Sequence, residues 1–449
     1  MVKKTDVLVI GGSAAGIIAA VTGKSCYPDK KFLLVRKERE VLVPCAIPYI
    51  FGSITSDKNI IADAVLTNAG VEIMVGEAVS IDSENNVCKT ADGTEIGFEK
   101  LVLATGSKPA VPRWLKGANL ENVFTIPKDK RYLDEIAAKL DGFEKIVTIG
   151  GGFIGVEVSD ELRKRDKDVT IVEILPHILG LVFDDEIAVE AEETIKERGV
   201  KLETGSGVKE ILGDRKATGV LLNNGEKLEA DAVVLSMGYR PNTSLAEESG
   251  IKLNEMGFIK ADEYMRTDNK DIFAVGDCAE KRDFNTRKVS GVMLASTACA
   301  EARIAGMNLY KLSALKTFSG IIPIFCTAIG ENGYGSAGLT ENAAVKEGFD
   351  IVTGTFEGVD KHPGAMPNTH KQLVKLIVSR ESGMILGGEV VAGPSTGELT
   401  NIIGLAIQNR MTIYSILATQ IGTHPLLTAP PTAYPLIKSA EAIAKKIKA

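Results

Sequence analysis

Two glycine-rich turns in this chain of 449 residues have the spacing of phosphate-binding loops. A turn that holds a dinucleotide needs glycine for its tight bend, a small residue beside the pyrophosphate, and a small residue where helix packs on strand. The amides at the start of the next helix then hold the phosphate charge. The first turn consists of Gly11, Gly12, Ser13, Ala14, Ala15 and Gly16. The second contains Gly150, Gly152, Phe153, Ile154 and Gly155. Serine at the middle position weakens the first motif without abolishing it, whereas the second motif is complete.

Acidic residues near the two turns are candidates for binding the ribose of a nucleotide. Glu173 closes the strand that follows the second turn, and Glu157 lies on the helix between them. A carboxylate at position 173 accepts hydrogen bonds from a 2′-hydroxyl and repels a 2′-phosphate, which favours NADH over NADPH. The equivalent strand end of the first unit carries Arg36 and Lys37, so Glu38 is the nearest acid and our candidate there.

The segments around each turn have the order strand, turn, helix, strand. Apolar strands are predicted at residues 7–10 and 32–35 for the first unit, and at 146–149 and 169–173 for the second. Two such units, with starts 139 residues apart, predict two nucleotide-binding domains and no short repeat. From about Phe318 the strands at 351–356 and 373–378 precede helices at 398–408 and 434–448, which predicts a separate α+β domain.

The composition limits the class of protein. Hydrophobic residues make up 45% and charged residues 25% of the chain, and the formal net charge is −7. These values are typical of a globular enzyme and disfavour a disordered chain or a general nucleic-acid binder. No apolar run approaches the ~20 residues of a membrane span. The first residues enter a strand directly, so we expect no signal peptide and a cytoplasmic enzyme without nucleic-acid or membrane partners.

Four motifs occur here in one order: the first glycine turn, an Ala-Thr-Gly-Ser-x-Pro segment at 104–109, the second glycine turn, and Phe-Ala-Val-Gly-Asp at 273–277. Over the whole chain this order resembles the FAD-dependent pyridine nucleotide-disulfide oxidoreductases. The resemblance implies an α/β fold with two Rossmann-like domains, for FAD and NAD, and a C-terminal α+β dimerisation domain. The implied divisions are 1–112 and 242–317 for FAD, 113–241 for NAD(P)H, and 318–449 for homodimer formation.

The resemblance also implies which residues contact each cofactor. Asp277 is expected at the ribityl–pyrophosphate region of FAD, and residues 294–297 are expected to begin a helix under the isoalloxazine. The remaining predicted FAD contacts, beyond the first turn and Glu38, are Lys37, Pro44, Val79, Ala104, Thr105, Gly106, Leu294, Ala295 and Thr297. The predicted NAD contacts, beyond the second turn, are Glu157, Glu173 and Gly238.

Cys45 is the candidate redox residue. Reductases of the glutathione type carry two cysteines separated by four residues, but Ile50 stands at the second position here. The string Val-Pro-Cys-Ala-Ile-Pro-Tyr at 43–49 looks like the single-cysteine branch, with Ala46 in place of the usual glycine. That branch contains coenzyme A-disulfide reductases, NADH-dependent persulfide reductases, and NADH oxidases and peroxidases. A thiolate there can attack a sulfur–sulfur bond or a peroxide. We expect a position at a helix start to lower its pKa.

The other five cysteines have simpler interpretations. Cys88, Cys278, Cys299 and Cys326 lie in apolar or small-residue strings and are expected to be buried and inert. Cys26 is expected to be a surface residue without a role. With no Cys-x-x-Cys pair and no cluster with histidine, the sequence gives no sign of a metal site or a disulfide scaffold.

A proton donor and a coenzyme A site are less clearly marked. The coenzyme A-disulfide branch usually carries two tyrosines near the thiol, and both are missing from the corresponding strings at 362–367 and 428–431. His424 stands in a His-Pro string similar to that of two-cysteine reductases, whose histidine acts across the dimer, so it is our candidate acid. His362 is the reserve, and His177 is expected in a surface loop. Lys24 and Arg303 are the candidate cations for coenzyme A phosphates.

Three functions compete. The first is reduction of a coenzyme A persulfide, polysulfide or disulfide by NAD(P)H through FAD and Cys45. The second is an NADH oxidase or peroxidase that cycles Cys45 through a sulfenic acid. The third is a redox sensor without catalysis, which the intact second turn disfavours because a sensor needs no hydride donor.

Overall fold

The computed structural model describes residues 2–448, and its first part is built on a parallel sheet. The elements are β1 (Lys3–Lys4), β2 (Val7–Ile10), α1 (Ala14–Cys26), β3 (Phe32–Arg36), α2 (Ala64–Thr67), β4 (Val71–Val75), β5 (Ala78–Asp82), β6 (Val87–Thr90), β7 (Glu95–Gly97), β8 (Lys100–Leu103) and β9 (Ser107–Pro109). Short 3₁₀ helices cover Pro44–Ala46, Pro48–Phe51 and Ser56–Asn59. Every residue of β2 and β3 is buried, as expected for parallel strands covered on both faces.

The second part contains the other glycine turn. Its elements are β10 (Val123–Thr125), α3 (Lys130–Asp141), β11 (Lys145–Ile149), α4 (Phe153–Arg163), β12 (Asp168–Val172), α5 (Asp185–Glu197), β13 (Lys201–Glu203), β14 (Val208–Gly213), β15 (Ala217–Leu222), β16 (Lys227–Glu229) and β17 (Ala232–Leu235). The sheet order is β10-β17-β11-β12-β13, and every pairing in it is parallel. Strands β14, β15 and β16 form a separate antiparallel sheet.

The chain then returns to the first sheet. It forms β18 (Tyr239–Pro241), α6 (Ser244–Glu248), β19 (Ile272–Ala274), a 3₁₀ helix over Gly276–Cys278, and α7 (Ala295–Asn308). The completed sheet has the order β19-β8-β2-β3-β4, again with parallel pairings. Strand β9 leads from the first part to the second, and β18 leads back. These two connecting strands pair antiparallel and so lie side by side. Strands β9 and β18 lie near residues 112 and 241, where we predicted domain boundaries. The exact boundaries stay predictions.

Helices α1 and α7 pack against each other beside the first sheet. A Cβ on Gly306 would lie 2.9 Å from the amide nitrogen of Gly23, and a Cβ on Gly23 would meet Phe32 and Leu309 at 2.7 and 2.9 Å. Glycine at these two positions allows the close packing of α1 on α7, which explains why α1 is rich in small residues. The segment 294–297 does begin a helix, because α7 starts at Ala295 with Leu294 at its N-cap.

The last part is an antiparallel sheet with helices. Its elements are β20 (Ile324–Ile329), β21 (Asn332–Gly338), α8 (Glu341–Lys346), β22 (Ile351–Val359), β23 (Lys371–Ser379), β24 (Ile385–Ala392), α9 (Thr396–Gln408), α10 (Ile413–Leu417), a 3₁₀ helix over Pro431–Ala433, and α11 (Pro435–Lys448). The order is β20-β21-β24-β23-β22. The two parallel sheets and this α+β domain confirm the predicted fold class. Between residues 2 and 448, no helix has both the length and the apolar character needed to cross a bilayer.

Candidate active site

The first glycine turn connects β2 to α1 and can only be built from small residues. Gly11 has a φ of +118°, and a Cβ there would lie 2.1 Å from the carbonyl oxygen of Ala104. A Cβ on Gly16 would lie 1.8 Å from the oxygen of Gly11. Ser13 is the N-cap of α1, and its side chain makes no capping hydrogen bond. The Ser13 side chain therefore leaves the amides of the first helical turn available to an anion.

The second turn repeats this geometry between β11 and α4. Gly150 has a φ of +108°, and a Cβ there would lie 2.4 Å from the oxygen of Ser236. A Cβ on Gly155 would lie 1.9 Å from the oxygen of Gly150. The middle residue, Gly152, is exposed and has no atom within 4 Å of its Cβ position. That open space is where a pyrophosphate would approach the backbone.

A cleft of about 340 Å³ opens beside the first turn. Its lining includes Gly11, Lys37, Glu38, Val79 and Thr105, all of them predicted FAD contacts. Glu38 is half-buried, and burial raises the pKa of its carboxyl group. A carboxylate in this position offers acceptors for ribose hydroxyls, so the residues present fit the adenosine half of FAD.

Arg36 stands at the strand end where a ribose-binding acid is common. Its guanidinium points to Asp63, with Nη1–Oδ1 and Nη2–Oδ2 distances of 2.6 and 2.8 Å. Its aliphatic carbons lie where a Cβ on Gly12 would stand. Arg36 is thus a buried support under the glycine turn, and Glu38 stays the predicted ribose-binding residue.

Asp277 lies on the 3₁₀ helix that follows β19. Its Oδ2 accepts hydrogen bonds from Ser107 Oγ at 2.7 Å and Lys128 Nζ at 2.9 Å. Burial opposes ionisation of Asp277, but Lys128 and Ser107 hold its pKa below the ordinary value. The aspartate is therefore a fixed anion that joins the Ala-Thr-Gly-Ser segment to the linker before α3. Its contact with the flavin stays a prediction.

Glu173 reaches back to the second turn. One carboxylate oxygen accepts the N–H of Gly151 at 2.6 Å, and the other accepts the N–H of Leu175 at 2.8 Å. A carboxylate has about four lone-pair sites, so both oxygens retain acceptor capacity for a ribose. The geometry places an anion beside the turn, as the hypothesis of NADH preference requires.

Glu157 makes its hydrogen bond to the C-terminal α+β domain. Thr327 Oγ1 on β20 donates to Glu157 Oε1 at 2.8 Å. One turn earlier on the same helix, Phe153 stacks on Phe325 with ring centroids 5.2 Å apart. Burial raises the pKa of Glu157 to about 7. The predicted contact of Glu157 with NAD remains a prediction, but its protein partner was not foreseen from the sequence.

Cys45 lies in the three-residue 3₁₀ helix Pro44–Ala46 and is exposed. The expected lowering of its pKa by a helix start is wrong, because so short a helix has little dipole. Although the residue is exposed, neighbouring atoms partly desolvate its sulfur and raise the pKa of the thiol, and the charge of Glu157 raises it further. The ammonium of Lys128 acts in the opposite direction. The same ammonium therefore acts on the Cys45 thiol and binds Asp277.

The other cysteines agree with expectation only in part. Cys88 and Cys278 are buried and Cys26 is exposed, as predicted. Cys299 is half-buried, and Cys326 is exposed, so the expectation of burial is wrong for Cys326. The reason is its position on β20, an edge strand of the last sheet. All six cysteines are free thiols.

A second cavity of about 950 Å³ lies beside the Cys45 segment. Tyr49, four residues after Cys45, lines one side. The residues that line the other side include Cys326, Lys361 and His370 of the C-terminal α+β domain. Its size is sufficient for a large organic ligand.

The candidate histidines lie in two neighbouring loops. His362 donates from Nδ1 to the carbonyl oxygen of Thr428 at 3.0 Å, which joins the loops. His424 is exposed, and its Nδ1 accepts the N–H of Leu426 at 3.2 Å. Its other ring nitrogen is the one available for proton transfer. His177 is partly exposed and contacts Glu192 at 3.2 Å.

The two candidate cations for coenzyme A differ in their surroundings. Lys24 Nζ donates to the carbonyl oxygens of Pro28 and Lys30 at 2.7 and 2.8 Å. Arg303 is exposed on α7. To bind a phosphate, Lys24 would have to break its hydrogen bonds to two carbonyl oxygens. Arg303 is therefore the stronger candidate for binding a coenzyme A phosphate.

Sequence reasoning missed Lys128, Ser107 and Thr327. Ser107 lies inside the Ala-Thr-Gly-Ser-x-Pro segment, so the motif itself could have identified it. Lys128 and Thr327 belong to no motif, and only the fold brings them to Asp277 and Glu157.

A sequence profile described as pyridine nucleotide-disulphide oxidoreductase matches residues 5–302, and the profile of the dimerisation domain of that family matches residues 326–434. The chain therefore belongs to the pyridine nucleotide-disulphide oxidoreductases, which use FAD and NAD(P)H. It is an FAD-dependent oxidoreductase, as predicted.

Two curated relatives cover nearly the whole chain. A NAD(P)H coenzyme A polysulfide/persulfide reductase of Pyrococcus horikoshii is 31% identical over 397 residues, covering 86% of this chain and 87% of the relative. An NADH oxidase of Methanocaldococcus jannaschii is 29% identical over 459 residues, covering 98% and 99%. The solved structure of an NAD-dependent persulfide reductase from A. fulgidus matches with a TM-score of 0.91 and 29% identity, covering 99% of this chain and 84% of that one.

Proposed function

We propose that this protein reduces a coenzyme A-linked persulfide, polysulfide or disulfide with electrons from NADH. The observation that carries the proposal is Cys45: one exposed thiol on a short 3₁₀ helix, beside the cation that holds Asp277. The absence of a cysteine partner five residues later leaves this sulfur to attack an external sulfur–sulfur bond.

Different residues of the chain would bind the cofactors and perform the sulfur chemistry. The two glycine turns, with Glu38, Asp277 and Glu173, would hold FAD and NADH. FAD supplies two-electron transfer between a hydride donor and a thiol. Cys45 attacks the sulfur–sulfur bond of the substrate as a thiolate and releases the leaving thiol. Two electrons then cleave the resulting sulfur–sulfur bond on Cys45, which returns the Cys45 thiolate and releases the other sulfur as sulfide or as a second thiol.

Proton transfer accompanies both halves of this cycle. Because the thiol pKa is raised, Cys45 must lose a proton before it attacks, and the charge of Lys128 assists that loss. The leaving thiolate needs a proton in return. His424 is our candidate donor, supplied by the second copy of the chain in a homodimer formed through residues 318–449.

The cavity beside Tyr49 is large enough for a bulky thiol carrier such as coenzyme A. Arg303 and Lys24 lie outside the lining of this cavity and are candidate phosphate ligands on the family resemblance alone. The similarity to the coenzyme A persulfide reductase of Pyrococcus horikoshii supports the same substrate class. We place the enzyme in the cytoplasm, where thiols remain reduced.

The second candidate is an NADH oxidase or peroxidase. It is favoured by the absence of both tyrosines of the coenzyme A-disulfide branch and by the relative from Methanocaldococcus jannaschii. In that reaction Cys45 would pass through a sulfenic acid.

Steady-state oxidation of NADH separates the candidates. The purified holoenzyme is assayed without oxygen against coenzyme A persulfide and coenzyme A disulfide, then against peroxide, and finally with oxygen. The proposal expects kcat/KM to be at least tenfold higher with a sulfur substrate. Higher kcat/KM with peroxide or oxygen would establish the second candidate instead.

A further inference from the structure

A buried ion pair lies behind the segment that carries Asp277. Lys281 Nζ is 3.8 Å from Glu301 Oε1, and the two side chains are 1% and 0% exposed. Lys281 follows the 3₁₀ helix of Asp277 in the chain, whereas Glu301 lies on α7. No motif of the family resemblance includes either residue.

The pair holds both polar backbone groups of Gly276. Glu301 Oε2 accepts the N–H of Gly276 at 2.7 Å. Lys281 Nζ donates to the carbonyl oxygen of Gly276 at 2.9 Å and to that of Ala279 at 2.8 Å. Gly276 has a φ of +78°, and a Cβ there would lie 3.0 Å from Ala15 in the first nucleotide turn. The pair therefore fixes the residue immediately before Asp277 against that turn.

One oxygen of the pair has no hydrogen bond. Glu301 Oε1 is fully buried and lacks a donor within the part of the chain described here. Lys281 lies over the ring of Phe258, 5.6 Å from its centroid, so the surroundings are apolar on that side. An ionised carboxylate with one unsatisfied oxygen in a dry site is costly.

Burial accordingly raises the pKa of Glu301 to about 7. Lys281 acts to lower it, and the negative charge of Asp277 acts to raise it. The charged groups that face one another here are Glu301 on α7, Asp277 on the 3₁₀ helix and Lys281 in the loop after it. Lys128, beyond Asp277, neutralises that carboxylate.

We propose that Glu301 and Lys281 are positioning residues for Asp277, and that the proton on Glu301 sets the midpoint potential of bound FAD near neutral pH. With Glu301 protonated, the buried pair carries one net positive charge. With Glu301 ionised, it carries none. Reduction adds negative charge to a flavin, so the protonated pair favours the reduced form and raises the potential.

The test compares wild type with Glu301→Gln, which keeps the acceptor for Gly276 N–H and fixes the neutral form. The FAD midpoint potential is measured without oxygen against a reference dye, one pH unit below and one above neutrality. At the acid pH we expect the two proteins to agree. At the alkaline pH we expect the ratio of reduced to oxidised flavin to be about threefold to tenfold higher in Glu301→Gln.

Glu389→Gln is the matched control, because Glu389 is also buried beside a lysine but lies in the dimerisation domain. Its potential should follow wild type at both pH values. Equal potentials for Glu301→Gln and wild type at the alkaline pH would overturn the proposal.

A second variant tests the positioning role without relying on a single substitution. Lys281→Met with Glu301→Gln removes both charges and keeps the volume, which avoids leaving one buried charge unpaired. We expect it to fold and to lose FAD at least tenfold faster during gel filtration. Because it lacks the Lys281 charge that Glu301→Gln retains, its ratio of reduced to oxidised flavin should be about threefold to tenfold lower than that of Glu301→Gln at both pH values. Retention of FAD at the wild-type rate would show that the pair does not position Asp277.

Discussion

Lys375 on β23 lies 2.9 Å from Asp184, the residue before α5, and both side chains are almost fully buried. The same ammonium is 2.5 Å from Glu186 and 2.9 Å from Glu341. The carboxylate of Asp184 also accepts the N–H groups of Glu341 and Asn342 at the start of α8. One lysine and one aspartate thus join the part of the chain that carries the second glycine turn to the dimerisation domain.

Lys375→Met should unfold at lower urea concentration. Removing one partner of a buried ion pair leaves uncompensated charge and typically costs about 3–5 kcal/mol. The control is Lys371→Met on the same strand, where half-exposed ion pairs with Glu190 and Glu357 predict a loss below about 1 kcal/mol. Equal losses in the two variants would contradict the role of Lys375.

Glu389→Gln should change how stability depends on pH. Burial and the charge of Asp184 raise the pKa of Glu389 to about 8 from an ordinary 4.5. Between these values the unfolded chain releases a proton that the folded protein keeps. The wild type therefore loses up to about 1.4 kcal/mol per pH unit as the pH rises, from this group alone. Urea titrations between these pH values should show a growing stability advantage for Glu389→Gln, and parallel curves would refute it.

Cys45→Ser tests the sulfur chemistry. It should retain FAD and the reduction of FAD by NADH, because neither process involves the thiol. Turnover of persulfide or disulfide should fall by orders of magnitude, because a serine hydroxyl forms no mixed disulfide. Cys299→Ser is the matched control, since Cys299 is near enough to influence the Cys45 pKa. Full sulfur turnover in Cys45→Ser, measured in single-turnover and steady-state assays, would remove Cys45 from the mechanism.

Glu173→Ala should narrow the preference for NADH over NADPH. Loss of a charged contact to the ribose typically costs about 1.5–3 kcal/mol, which is tenfold or more in kcat/KM for NADH. Because Glu173 also accepts two backbone N–H groups, Glu173→Gln is needed as a control that keeps one oxygen acceptor. A wild-type enzyme that prefers NADPH would show that Glu173 does not face the ribose.

Lys128→Met should raise the pKa of the Cys45 thiol further, because the Lys128 charge lowers that pKa in the wild type. The rate of Cys45 alkylation, followed as a function of pH, should have its midpoint shifted upward. The neighbouring Lys130, which pairs with Asp57 and Asp134, provides the control Lys130→Met with no such shift. A Lys128→Met profile equal to that of wild type would be inconsistent with this electrostatic role.

The sequence was sufficient where chemistry depends on neighbouring residues. Both glycine turns, their strands and the start of α7 follow from local patterns, and the structure agrees with them. The sequence did not predict contacts between residues that are distant in the chain. Asp184 and Lys375, for example, are 191 residues apart. The Cys45 pKa was mispredicted because its direction depends on Glu157 and on enclosure by other segments. The burial of Cys326 was mispredicted because the order of strands in the sheet puts β20 at an edge, and the sequence of β20 alone does not reveal that order.

The two glycine turns have similar backbone geometry at their first glycines, with φ angles of +118° and +108°. This shared geometry does not by itself distinguish one nucleotide from the other. We expect discrimination between nucleotides at the strand ends, where Arg36 turns inward to Asp63 while Glu173 stays beside its turn. Substitutions meant to change cofactor preference in this chain should therefore leave the glycine turns intact and alter the residues at the ends of β3 and β12.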